Sequence, residues 1–151
     1  HEKKYKQPFI KYLNTSTQLF FNILSIHAQL YIAMTKVFIT GASGFIAQHI
    51  IKLLLSKGYE VVGTVRSTTK GEQLKSFMPS DAKFTYEIVK ELSTPNSFDE
   101  ALSKHNDIEY LFHTASPLTF DTEDPENVIL QPAIKGTENI LHAAADLCPN
   151  L

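Results

Sequence analysis

From Lys36 onward, short apolar runs alternate with stretches whose apolar residues recur every three to four positions. The run Lys36–Ile39 predicts a strand. Ile46, Ile50 and Leu54, with Ile51 and Leu55, form an apolar stripe that predicts a helix over Phe45–Lys57, ended by Gly58. A second strand, Glu60–Val65, follows at once. A short helix near Lys70–Phe77 and, after Pro79, a third strand, Phe84–Val89, come next. Thr94-Pro95 reads as an N-cap and first helical residue, opening a helix to Lys104. Tyr110–His113 predicts a fourth strand. Asp124-Pro125 repeats the cap signal for a long helix through Asp146, with Pro132 near its start.

Helix-length crossovers between strands imply parallel pairing and right-handed βαβ units. The expected fold is therefore α/β, a Rossmann-type doubly wound parallel sheet, truncated after about four strands, with strand order beginning 3-2-1-4. Its first turn carries chemistry. Gly41 can leave a strand abruptly, and Gly44, having no Cβ, lets the next helix come close to a pyrophosphate. Free N–H groups and the positive dipole end of that helix would then meet the phosphate. Ala47 stands where a third small residue lets the helix pack on the strand, so the spacing is G-x-x-G-x-x-A. No Gly-Lys-Ser/Thr follows, which excludes a P-loop. At the end of the second strand an acidic side chain selects NAD by bonding the ribose 2′-hydroxyl, whereas an arginine accommodates a 2′-phosphate. Here Arg66 stands there, and Lys70 adds a second positive charge four residues on. The expected cofactor is NADP.

Composition narrows the classes without changing this reading. At 151 residues, 43% hydrophobic and net charge −2, the chain can bury a core and carries no basic excess for nucleic acid. Its single cysteine, Cys148, forms no internal disulfide, and the six histidines show no metal-ligand spacing. Residues 1–33 read differently. They are basic through Lys3, Lys4, Lys6 and Lys11, then apolar from Leu19 to Ile32, with Asn22, His27 and Gln29 interrupting a run that a membrane span would keep apolar over ~18 residues. They also lack the arginines of a mitochondrial presequence. Asn14-Thr15-Ser16 fits a glycosylation sequon. We expect an extension over residues 1–33, unstructured or loosely helical, ahead of a cofactor-binding part at 34–151 that begins with Met34. No membrane association is expected, and the location expected is cytoplasmic.

Thr40-Gly41-Ala42-Ser43-Gly44-Phe45-Ile46-Ala47-Gln48-His49-Ile50, the Arg66 and Lys70 pair, and His113-Thr114-Ala115-Ser116-Pro117 together resemble extended short-chain dehydrogenases of the NAD-dependent epimerase/dehydratase superfamily. Within it, the nearest likeness is to the yeast NADPH-dependent methylglyoxal, isovaleraldehyde and ketone reductases and to plant dihydroflavonol reductases. The resemblance covers residues 34–151. It implies that the backbone of Gly41, Ala42, Ser43, Gly44, Phe45 and Ile46 cradles the pyrophosphate and that Arg66 and Lys70 hold the 2′-phosphate. It implies further that Glu91 and Leu92 flank the adenine, Glu91 standing where an aspartate is usual. Thr114, Ala115, Ser116 and Pro117 would lie along the nicotinamide-side ribose. The residues themselves read His113 as a packed strand-end histidine rather than a catalytic base.

The family's catalytic groups are a serine after the fifth strand and a Tyr-x-x-x-Lys helix. Tyr86 and Lys90 satisfy that spacing by count, yet in a strand they stand roughly 13 Å apart. No catalytic residue is therefore assigned. On the resemblance, Leu151 falls where the fifth strand would start. The exposed edge of strand four predicts a chain that is poorly stable or aggregates by itself. The functional expectation is the cofactor-binding part of an NADPH-dependent carbonyl reductase, whose partners are NADPH and, in a longer parent, a small carbonyl substrate. Two alternatives stand beside it. One is a non-catalytic NADP-binding module or truncated relic; the other is an NAD-dependent sugar-nucleotide epimerase or dehydratase, against which Arg66 and Ala47 count.

Overall fold

The computed structural model describes residues 6–119 and 121–151, with side chains described at 17–31, 35–119 and 121–151. The chain divides into two units, His1–Met34 and Thr35–Leu151. In the first, a continuous helix α1 runs over Lys6–Met34, and side chains 17–31 are all exposed. Residues 1–5 of the expected extension, with Lys3 and Lys4, and the side chains of Lys6, Lys11 and the sequon Asn14-Thr15-Ser16 lie outside the described residues. Among the described residues no helix is long and apolar enough to cross a membrane.

The second unit is a four-stranded parallel sheet of order β3-β2-β1-β4, built from β1 (Lys36–Thr40), β2 (Glu60–Val65), β3 (Phe84–Ile88) and β4 (Tyr110–His113). The order 3-2-1-4 is the one expected. β1 pairs with β2 on one side and β4 on the other, and Val37, Phe38, Ile39 and Thr40 are fully buried. An unbroken apolar strand is what burial on both faces requires. Helices α2 (Phe45–Ser56) and α3 (Thr68–Ser76) cover one face, where Ala47, Ile51 and Leu74 pack on Ile39, Val61 and Val65. Helices α4 (Asp99–Lys104) and α5 (Gln131–Leu147) cover the other, where Phe98, Leu102 and Ile140 pack on Phe38 and Val62. Cys148 is buried in that second core, and burial pushes its thiol up.

Several boundaries depart from the sequence reading, by a single residue at the ends of β1, α2 and α5 and elsewhere as follows. The helix α3 begins at Thr68, two residues early, because the Ser67 side chain caps it by accepting from the Lys70 N–H. The third strand ends at Ile88 rather than Val89. The helix expected from Pro95 starts only at Asp99, since Asn96 has φ 59° and its left-handed backbone breaks the helix into successive turns. The long helix expected from Pro125 opens as a π segment, Glu126–Leu130, before α5. Pro132 has no N–H and crowds the carbonyl four residues back, so a wider first turn relieves it; the Gln131 N–H accordingly bonds the Glu126 carbonyl. Asp124 still caps this segment, its carboxylate accepting from the Asn127 N–H at 3.1 Å and from the Asn127 amide at 2.9 Å.

Candidate functional site

At the carboxyl end of the sheet, where the chain passes to β2 on one side of β1 and to β4 on the other, two adjoining clefts open. This is the crevice in which open α/β sheets hold ligands. The larger, of about 430 Å³, is floored by the turn after β1 and walled by Arg66, Lys70 and Thr114–Ser116. The smaller, of about 300 Å³, holds Glu91 and Pro117, and the two share Arg66 and Leu92.

The turn residues divide into those that build the floor and those that face the cleft. Gly41 has φ 67°, in the left-handed region that favours glycine. A Cβ there would stand 2.9 Å from the Ala115 Cα, so the missing side chain lets the β4 loop close on the turn. The Gly41 N–H donates to Thr64 Oγ1 at 3.2 Å, the Ala42 N–H to the Thr64 carbonyl at 2.8 Å and the Gly44 N–H to the Gly41 carbonyl at 2.8 Å. Those three amides are occupied in holding the turn to β2 and to itself. Among the described residues the N–H groups of Ser43, Phe45 and Ile46 have no such partner, and they are the amides left for an anion. Ala42 is fully buried beneath them, its Cβ filling the space that Gly63 leaves on β2. The Phe45 and Ile46 side chains are exposed and line neither cleft.

Cation and carboxylate meet at the shared wall. Arg66 and Lys70 are both exposed and both border the larger cleft. Glu91 accepts from the Ser93 N–H at 3.2 Å and from Ser93 Oγ at 3.0 Å, and these bonds, with the charge of Arg66, hold its carboxyl below the usual range. Leu92 is braced from behind by α5. Asn139 donates to the Leu92 and Thr94 carbonyls at 2.8 Å each, and Gly136 allows the Leu92 Cβ a close approach.

Sequence reasoning missed the residue that joins the two walls. Thr40 is buried at the end of β1 with its Oγ1 2.8 Å from His113 Nδ1 and 3.1 Å from both the Thr114 and Ala115 amide nitrogens. The Thr114 hydroxyl returns a bond to the Thr40 carbonyl at 2.5 Å. A threonine directly before the turn glycine, paired in register with a histidine, was the available signal. Burial holds the His113 imidazole below its ordinary range. The folded chain thus binds that proton less readily than the unfolded one. Its contribution to stability is complete above the unfolded pKa of about 6.5 and is lost as pH falls through the folded value. The melting temperature is expected to drop between about pH 7.5 and about pH 5.5, and the drop to shrink in His113→Asn. Equal drops in the two proteins would assign the effect elsewhere.

Tyr86 and Lys90 do not form a catalytic pair. Tyr86 lies in β3 with its hydroxyl donating to Glu72 at 2.5 Å, a bond that raises the phenol instead of activating it, and Lys90 lies beyond the strand.

Residues 37–150 match the profile of the NAD dependent epimerase/dehydratase family. The chain is 45% identical over 109 residues to the NADPH-dependent methylglyoxal reductase GRE2 of Saccharomyces cerevisiae, which covers 72% of this chain and 32% of that protein. It is 37% identical over 110 residues to the bifunctional dihydroflavonol 4-reductase/flavanone 4-reductase of Malus domestica, covering 72% and 31%. The crystal structure of Gre2 from Candida albicans in complex with NADPH superposes with a TM-score of 0.74 at 43% identity, covering 78% of this chain and 35% of that one. The chain thus spans about a third of the length of the curated relatives it matches.

Proposed function

Because the chain belongs to the NAD dependent epimerase/dehydratase family, we propose that residues 34–151 are the NADPH-binding part of a reductase acting on small aldehydes or ketones, with residues 1–33 an extension to it. The observation that carries this reading is the placing of Arg66 and Lys70 on one wall of the cleft that the glycine turn floors. A 2′-phosphate is a dianion, and a guanidinium fork with an ammonium beside it answers that charge and shape where a ribose hydroxyl would want a carboxylate. The unpartnered amides of Ser43, Phe45 and Ile46 suit the pyrophosphate. Glu91 and Leu92 suit the adenine side and Thr114, Ala115, Ser116 and Pro117 the nicotinamide-side ribose, with the buried Ala42 supporting the floor. When bound, NADPH supplies the hydride that a carbonyl carbon accepts.

This chain's residues bind and orient that donor. Tyr86, its hydroxyl engaged with Glu72, is not assigned the role of giving the carbonyl oxygen its proton. The relatives named as methylglyoxal reductase and dihydroflavonol reductase support a carbonyl substrate. A cytoplasmic location belongs to the same reading, supported by one buried thiol in place of disulfides.

Titrating the folded chain with NADPH and with NADH tests the proposal. NADPH is expected to bind more tightly, and Arg66→Ala to weaken it about 10- to 100-fold while leaving NADH within about threefold, since a charge-assisted bond to phosphate is worth about 1.5–3 kcal/mol. Equal binding of the two nucleotides would sink the assignment of Arg66.

A further inference from the structure

We propose that His113 is a positioning residue of the cofactor site, held as the neutral Nε2–H tautomer so that its Nδ1 fixes the Thr40 hydroxyl with both oxygen lone pairs on the Thr114 and Ala115 amides. The inference rests on the reading that this cleft takes NADPH. It follows from counting protons. A hydroxyl has one hydrogen and two lone pairs. Thr40 Oγ1 has three polar neighbours, the Thr114 and Ala115 nitrogens at 3.1 Å each and His113 Nδ1 at 2.8 Å. The two amides can only donate and occupy both lone pairs, so the hydroxyl proton goes to Nδ1. An Nδ1 that accepts leaves a neutral ring with its hydrogen on Nε2. The opposite tautomer would crowd three donors around two lone pairs and leave the hydroxyl proton with no acceptor.

The consequence for the site is geometric. Ala115 is the residue against which Gly41 closes, with room for no Cβ between them. Residues 114–116 form one wall of the cleft and the Gly41 turn its floor. A Thr40 hydroxyl without its His113 acceptor can turn its proton toward the amides, and one amide then loses its bond. His113 therefore sets the spacing between floor and wall without touching the cofactor, and the Phe98 ring, edge-on at a centroid distance of 6.5 Å, holds the imidazole in place.

The test uses the 151-residue chain and two readouts. Imidazole nitrogen spectra at about pH 8, without nucleotide, are expected to show His113 protonated at Nε2 and hydrogen-bonded through an unprotonated Nδ1. An Nδ1–H tautomer or an imidazolium would overturn the proposal. In NADPH titrations, His113→Asn, whose amide oxygen takes the place of Nδ1, and Thr40→Ser are expected to bind within about threefold of the unmodified chain, and His113→Phe and Thr40→Val about tenfold more weakly. If His113→Phe does not fold, His113→Gln replaces it; its amide reaches the Nε2 position instead, and the same weakening is expected. Folded His113→Phe or His113→Gln that binds NADPH as tightly as the unmodified chain refutes the positioning role. Failure of the unmodified chain to bind NADPH removes the cofactor reading, and the nitrogen spectra then decide the His113 arrangement by themselves.

Discussion

Gly41→Ala is expected to cost the chain about 2–4 kcal/mol and to weaken NADPH binding by more than about tenfold. Two causes add. The first is the backbone: φ of 67° places an L side chain in the left-handed region, at about 1–2 kcal/mol. The second is crowding: the new methyl would meet the Ala115 Cα at 2.9 Å, and a backbone atom cannot swing aside as a side-chain tip can. Gly58→Ala separates the causes. Gly58 has φ 92° with nothing within 4 Å of where a Cβ would stand, so that variant carries the dihedral cost alone and is expected to leave nucleotide affinity intact. Urea unfolding and NADPH titration of both variants make the comparison. A Gly41→Ala protein no worse than Gly58→Ala in either measurement would show that the contact with Ala115 does not shape the cleft.

Phe98→Ala is the second change with a large expected effect. Phe98 is fully buried in the core beneath α4 and α5, among Leu102, Ile108 and Ile140. Truncating it removes a large apolar ring and leaves a cavity that the sheet cannot close, at about 3–5 kcal/mol. Phe98→Leu, which refills most of that volume, is expected to cost less than about 2 kcal/mol. The ring also edges against His113, so Phe98→Ala protein that remains folded in stabilising salt is expected to bind NADPH more weakly than Phe98→Leu. A urea midpoint shared by both variants would place little of the core's cohesion in this ring.

The strands and their order were legible because the buried parallel sheet writes itself as short apolar runs, as in Val37-Phe38-Ile39 and Val61-Val62, with helix-length intervals between them. Gly41 and Arg66 were legible for another reason: each follows directly on a strand end, where position leaves little freedom, and Lys70 stands four residues on from Arg66 in α3. Three features were not. The break at Asn96 depends on one residue adopting positive φ, against a Thr-Pro cap signal that pointed to helix. The π segment depends on how a helix absorbs Pro132 once its neighbours are packed. The division of labour within the turn depends on Thr64, whose hydroxyl and carbonyl take two of the amides that a local reading assigns to phosphate. Contacts between residues more than twenty positions apart leave no local pattern, and the bonds from Thr40 to His113, Thr114 and Ala115, across 73 to 75 positions, reach furthest along the chain among those described.

The sheet separates two cores that share no side chain. Ala42, beneath the turn, belongs to one of them, and Ala115, on the facing wall, packs against the other. The cleft is consequently a seam between two separately packed layers, sewn across at Thr40. A volume change under α2 is expected to reach the floor first, and one under α5 the wall first, so the gap between them registers both. Paired substitutions of opposite size on the two faces would shift the seam sideways at constant width, whereas paired substitutions of the same sign would open or pinch it.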